Sequence, residues 1–204
     1  MTDLSATFGA IDIYVFDQLL RGRITSRDRI VDAGCGGGRN LVYLLREGYD
    51  VSGLDADPDP IRDVQALAEA LGRDRVTERF RAEPLERSTF PDGCATVVLS
   101  SAVLHFARDD AHFAAMLRGS WRLLVSGGMF FCRLASTIGL ESAIVPVDAG
   151  AHRWRLPDGT VRYLVDEARL MAWTAELGGQ LLDPLKTTVV QGQRAMTTWV
   201  LRKR

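Results

Sequence analysis

The chain has 204 residues, 47% of them hydrophobic, which is enough for one domain with a sizeable core. Its formal net charge is -1, and its basic residues are scattered apart from a terminal Arg-Lys-Arg, so charge argues against a nucleic acid or a membrane surface as partner. No apolar run has the length of a spanning helix and the N-terminus has no export signal, which predicts a cytoplasmic protein. Cys35, Cys94 and Cys132 form no CxxC or Cys/His group, implying neither a disulfide framework nor a metal site.

In chain order, residues 1–25 read as an N-terminal helical cap, with Phe8, Ile11, Tyr14 or Val15, and Leu19 recurring on one side. "RIVDAG" is a first strand, and the helix after it carries Leu41, Leu44 and Leu45 with Gly48 at its end. "DVSGLDA" is a second strand. The next helix places Ile61, Val64, Leu67, Ala68 and Leu71 on one stripe between Pro60 and Gly72. "VTERFRAE" reads as a third strand and "ATVVLSSA" as a buried fourth. A helix with Phe113, Leu117, Trp121 and Leu124 follows, then a Gly127-Gly128 turn and a fifth strand, "MFFCRLA". Residues 136–160 break the rhythm and read as a long connection or a small insertion, the place for substrate contacts. A last helix has Asp166 as N-cap and Gly178 or Gly179 as stop, and "TTVVQ" and "MTTWVLRK" close the chain as an antiparallel hairpin. Strands alternating with helices make an α/β fold, a doubly wound, mostly parallel sheet with helices on both faces, in a single domain over residues 1–204.

In such sheets ligands bind at the carboxyl ends of the strands where the order reverses, which points to the turn after the first strand. The glycines there do not fit G-x-G-x-x-G: counting from Gly34 and Gly36 the third position is Arg39, and from Gly36 and Gly38 it is Leu41. They fit D-x-G-x-G-x-G, from Asp32 through Gly34 and Gly36 to Gly38. Asp55 then ends the second strand, where a carboxylate accepts from both hydroxyls of a ribose, or is a solvated strand end.

This pattern, over about residues 29–134, resembles the class I S-adenosylmethionine-dependent methyltransferases, and "GCGGGRNLVYLLREGYDVSGLDA" is locally similar to the tellurite-resistance type. The resemblance implies a Rossmann-like fold, S-adenosylmethionine as cofactor, S-adenosylhomocysteine as product, and methyl transfer to a small-molecule acceptor by in-line displacement. It implies that the turn, Asp32, Gly34, Cys35, Gly36, Gly38 and Asn40, lies against the methionine and ribose, with Asp55 and Ala56 beyond it. Cys35 supplies backbone and a small filler rather than a reactive thiol. Glu83 stands near the acid that reaches the adenine amine, or belongs to a charged surface turn, with Pro84 and Leu85 as apolar wall. Ser100 and Ser101 lie under the cofactor, and Tyr14 and Asp17 reach the methionine end or the acceptor unless their helix only covers the sheet.

Positioning supplies most of the rate in such chemistry, and a base is needed only for a protonated nucleophile. His105, after the fourth strand, is either that base or a packed histidine; His112 and His152 are worse placed. Arg133 interrupts an apolar strand and so requires a partner or a cavity. With Arg153, Arg155 and Arg162 it is a candidate for an acidic acceptor, unless these arginines pair with Asp158, Asp166 and Glu167. Trp121, Trp173 and Trp199 read as packing residues and Trp154 as a possible pocket wall. Two other functions remain open, a non-catalytic cofactor-binding or regulatory protein and a nicotinamide-dependent oxidoreductase; the glycine spacing and the lack of a Tyr-x-x-x-Lys pair disfavour the second.

Overall fold

Apolar side chains on the middle strands alternate between two cores, and that alternation organises the molecule. In the computed structural model, which describes residues 3–148 and 152–204, helices α1 (Leu4–Phe8) and α2 (Ile13–Leu20) precede β1 (Arg29–Ala33). Then come α3 (Val42–Arg46), β2 (Asp50–Asp55), α4 (Pro58–Ala70), α5 (Val76–Arg79) and β3 (Phe80–Ala82). A 3-10 turn at Leu85–Arg87 leads to β4 (Ala95–Ser101), and a second at Leu104–Phe106 leads to α6 (Asp110–Arg122) and β5 (Leu124–Ala135). The chain ends through β6 (Val145–Pro146), β7 (Arg153–Arg155), β8 (Val161–Tyr163), α7 (Glu167–Glu176), β9 (Gly179–Leu181), β10 (Lys186–Val190) and β11 (Arg194–Lys203).

The main sheet runs β10-β11-β5-β4-β1-β2-β3, and β9 also pairs with β11. The five strands β3, β2, β1, β4 and β5 are parallel, whereas β11 is antiparallel to both β5 and β10. The C-terminal hairpin thus inserts its second strand between β5 and β10. Along β4 and β5, Ala95, Val98, Phe130, Cys132 and Leu134 feed the core under α6 and α7. Val97, Leu99, Met129 and Phe131 feed the core with Leu44, Leu45, Val64 and Ala68 from α3 and α4. A period of two on a strand covered on both faces produces this continuous apolar run. Trp121, Trp173 and Trp199 are buried in the first core, where Trp199 Nε1 donates to Thr174 Oγ1 at 3.0 Å.

Three elements differ from the sequence expectation, and the stretch read as a long connection or a small insertion has structure of its own. The N-terminal segment is two short helices broken at Gly9, whose φ of 63° ends α1; Asp12 caps α2 by accepting from the Tyr14 N–H. "VTERFRAE" is not one strand. Arg75 takes a left-handed conformation, α5 follows, and only Phe80–Ala82 pair with β2. Gly127 and Gly128 lie inside β5, beside a register shift against β4, so they mark a bulge rather than a turn. Residues 136–160 hold β6 and β7, which join β8 in a separate antiparallel sheet over a small core of Leu140, Ile144, Leu156 and Leu164. Trp154 packs against that core instead of lining the main cavity.

Candidate active site

Between β2 and β4 the chain leaves β1 in opposite directions, and a cavity of about 1010 Å³ opens over the strand ends there. Of the residues singled out from the sequence, Gly34, Cys35, Gly36, Asn40, Asp55, Ala56, Pro84, Leu85 and Ser101 line it. Sequence reasoning missed the others that do: Gly37, Arg39, Glu86, Arg87, Ala102, Val103, Phe106, Arg108, His112 and Met116.

The turn is built by backbone. The N–H groups of Gly34 and Cys35 both donate to the Leu54 carbonyl, at 2.8 and 3.0 Å, which locks the end of β1 to β2. Gly34 has φ +90°, and a Cβ there would meet Val103 Cγ2 at 2.3 Å; Gly38 has φ +81°, and its Cβ would meet Val64 Cγ2 at 2.6 Å. These two glycines are required by the protein's own packing. At Gly36, φ +50°, a Cβ would meet nothing within 4 Å, so this is the bare stretch of main chain facing open space. Of the three, Gly34 and Gly36 line the cavity, whereas Gly38 lies outside the lining, packed on Val64. Cys35 is buried, close against Gly53, and burial raises its thiol well above the ordinary range, in keeping with a filler.

Asp55 stands at the lip, accepting from Gly36 N at 3.0 Å through Oδ2 and from Asp57 N at 3.0 Å through Oδ1. Each oxygen keeps a further lone pair. Asp32, at the end of β1, is 1% exposed, and among the described residues neither of its oxygens has a hydrogen-bond partner. Burial pushes its carboxyl up to about 7, with Asp55 adding to the effect and Arg39 and Asn40 offsetting part of it. An orphaned, fully buried carboxylate costs free energy, and a cationic ligand would relieve it.

Buried Asp12, which the sequence reading passed over, lies behind the lining residues Asn40 and Ser101. Its Oδ1 caps α2, its Oδ2 accepts from Ser101 Oγ at 2.8 Å and Arg133 Nη1 at 3.1 Å, and its N–H donates to Asn40 Oδ1 at 2.9 Å. Arg133 therefore has its partner in Asp12 and does not line the cavity. Its guanidinium lies 5.3 Å from the centre of the Tyr14 ring, whose hydroxyl bonds Thr188 Oγ1 at 2.6 Å, so Tyr14 is held by β10 away from the lining.

The structure redirects several other candidates. Asp17 pairs with Arg21 at 2.9 Å, the i,i+4 partner that its helix supplies. Glu83 is held by Thr89, accepting from its N–H at 2.7 Å and its hydroxyl at 2.6 Å, a closed surface turn. Ser100 is fully buried with its hydroxyl unpartnered, one residue too deep for the cavity. His105 is 7% exposed and its Nδ1 accepts from Ala135 N at 3.3 Å; burial, with Arg162 and Arg133, holds the imidazole down to about 4. The nitrogen with the free pair is occupied, so this histidine is not set to take a substrate proton. Arg153 pairs with Asp148 at 3.2 Å, Arg155 donates to Gly159 O, and Arg162 stacks 4.9 Å from the Phe106 ring. None of these three arginines lines the cavity, and among the described residues none of them forms an ion pair with Asp158, Asp166 or Glu167.

Residues 31–132, half of the chain, match a family profile described as a methyltransferase domain. A ubiquinone biosynthesis O-methyltransferase from Methylobacterium sp. (strain 4-46) is 31% identical over 131 residues, covering 64% of this chain and 50% of that protein. The chain spans about half the length of that curated relative. Among solved structures, 1,6-didemethyltoxoflavin-N1-methyltransferase from Burkholderia thailandensis, with bound 1,6-didemethyltoxoflavin and S-adenosylhomocysteine, superposes with TM-score 0.70 at 17% identity, covering 98% of this chain and 81% of that one. Geranyl diphosphate C-methyltransferase from Streptomyces coelicolor A3(2) gives TM-score 0.66 at 15% identity, with 94% and 76% covered. At these identities the structures establish the shared fold. Among the described residues no helix is long and apolar enough to cross a membrane.

Proposed function

The chain belongs to the class I S-adenosylmethionine-dependent methyltransferase family, and from that premise we propose that it transfers the methyl group of S-adenosylmethionine to a small-molecule acceptor by in-line displacement. The observation that carries this reading is the pairing of bare main chain at Gly36 with the Asp55 carboxylate at the same lip. Asp55 is fixed by two amide donors and presents its remaining lone pairs to the two ribose hydroxyls. Asp32, buried two residues before Gly34 and outside the cavity lining, favours by its charge an ammonium such as that of the methionine part at the turn, and Ala56, Pro84, Leu85 and Val103 form the apolar wall for adenine. When bound, the cofactor supplies an already activated methyl group, so the protein's task is alignment and exclusion of water. His105 takes no proton in this scheme, which suits an acceptor that arrives as an anion or loses its proton to solvent.

A thermal-shift and calorimetry series tests this. S-adenosylhomocysteine should raise the melting temperature and NAD should not, because only a ligand of the native state stabilises by mass action. Asp55→Ala should weaken S-adenosylhomocysteine by about 1.5 to 3 kcal/mol, the range for hydrogen bonds to a charged group. The reverse cofactor ranking would overturn the reading, and unchanged affinity in Asp55→Ala would place the ribose elsewhere.

A further inference from the structure

On the cavity wall away from the glycine turn, the 3-10 turn at Leu85–Arg87 is locked to the start of α6. Gly119 of α6 lies so close to Leu85 that a Cβ would stand 2.3 Å from its carbonyl oxygen, and Glu86 Oε1 lies 3.4 Å from His112 Nε2. The other ring nitrogen, His112 Nδ1, accepts from the backbone N–H of Arg108 at 3.2 Å. This clamp holds Arg87 and Arg108 on one wall, with Phe106 and Met116 lining the same space.

The charges on the lining do not cancel. Asp55 is held at the glycine lip by two amides, and Glu86 faces His112, while Arg39 turns to Ser101 Oγ at 3.2 Å and toward Asp12. Among the described residues, neither the Arg87 nor the Arg108 guanidinium makes a hydrogen bond or an ion pair, although both line the cavity. Two unpartnered guanidinium groups in a concave site with low-dielectric walls focus a positive potential into it, and a guanidinium matches the planar geometry of a carboxylate or phosphate. The volume of about 1010 Å³ is at the upper end of the range of about 300 to 1,000 Å³ for single-ligand pockets, which leaves room beside a nucleoside.

We propose that Arg87 and Arg108 form the anion subsite for the methyl acceptor. The acceptor is a small acid whose apolar body lies on Phe106 and Met116 and whose carboxylate or phosphate is held by the two guanidinium groups. This rests on the reading of the chain as a methyltransferase and extends it to the class of acceptor.

The test is calorimetry on protein saturated with S-adenosylhomocysteine, at constant ionic strength, with benzoate, phenyl phosphate and benzyl alcohol as probes. At least one anion should bind about tenfold or more tightly than the neutral alcohol, the scale of one charge-assisted contact. Arg87→Met/Arg108→Met should remove that preference while leaving S-adenosylhomocysteine affinity within about twofold of the parent. Both side chains are exposed, so the variant is expected to fold; single Arg108→Met, losing part of the preference, guards against an effect of the double change. The stronger of the two anions identifies the carboxylate or the phosphate as the recognised group. Anions binding no better than the alcohol, or equally well in the double variant, overturn the subsite. A double variant that binds S-adenosylhomocysteine poorly also overturns it, because the arginines then serve the cofactor. If the parent itself fails to bind S-adenosylhomocysteine, the methyltransferase reading falls, and the subsite with it.

Discussion

The two sides of the cavity are built on opposite principles. Along the glycine turn and around Asp12, most polar groups already have protein partners: Gly36 with Asp55, Asn40 with the Asp12 amide, Ser101 and Arg133 with the Asp12 carboxylate. Asp32 is the exception, buried and unpartnered among the described residues. On the wall of the 3-10 turn and α6, the Glu86–His112 contact fixes the scaffold, and among the described residues the two guanidinium groups there have no partner. A side that is internally satisfied is preorganised for one ligand shape, because binding requires no rearrangement of its hydrogen bonds. A side that keeps its charges unpaired selects its ligand by electrostatic complement.

Asp12 holds the satisfied side together, and its removal should cost the most. Asp12→Ala removes the cap of α2 and leaves Arg133, whose Nε already lacks a partner, largely buried without its carboxylate. The expected loss is about 2 to 4 kcal/mol by urea denaturation, within the range for breaking a partly buried pair together with an N-cap. Adding Arg133→Met should recover a substantial part of it. Full stability in Asp12→Ala would show that this side is not held together by the Asp12 carboxylate.

A second effect belongs to Asp32. Its folded-state pKa, about 7, lies above the ordinary carboxylate value of about 3.9, so the native state holds the proton more tightly than the unfolded state does. Its contribution to stability is complete below about pH 4 and is lost as pH rises through about 7. Asp32→Asn should therefore match the parent at low pH and become more stable by about 2 to 4 kcal/mol near pH 8. In the parent, S-adenosylhomocysteine should bind more weakly as pH falls below about 7, with no such trend in Asp32→Asn. A pH-independent difference between the two proteins would mean that Asp32 is already paired.

Exposed ion pairs away from the cavity should contribute little. Arg153→Ala removes a largely exposed pair with Asp148, and Asp17→Ala an i,i+4 pair on α2, so each should change stability by no more than about 0.5 kcal/mol. Neither should alter S-adenosylhomocysteine affinity. A clear loss of affinity in either variant would extend the binding surface beyond the two sides described.

Local features were legible in the chain. Asp166 caps α7 through its own helix, and Asp57 caps α4. Asp55 ends β2 because an acid closes the apolar run, and Gly34, Gly36 and Gly38 announce a turn with positive φ. Each depends on residues within a few positions, where spacing and geometry are the same thing. Asp12 was not legible because its partners, Ser101 and Arg133, lie 89 and 121 residues away in sequence. Arg133 itself was legible as needing a partner, since an arginine in an apolar strand demands one, but not which. Glu83 and Glu86 are chemically equivalent in sequence; only the closed turn at Thr89 and the approach of α6 decide which carboxylate faces the cavity. The mistaken third strand has the same origin: Val76 and Thr77 favour extended chain, but the left-handed turn at Arg75 and the short edge register against β2 leave room for only three paired residues.

The alternating α/β order, the glycine turn and the acid that follows it arise from side-chain period, caps and backbone freedom, all of which are local to the chain. Only the tertiary structure decided which glycine is open, which arginines are paired, and that His105 is committed to the Ala135 amide. Those outcomes depend on distances between segments that the linear chain does not contain, and on burial, which turns the same carboxyl or imidazole into a group of different proton affinity.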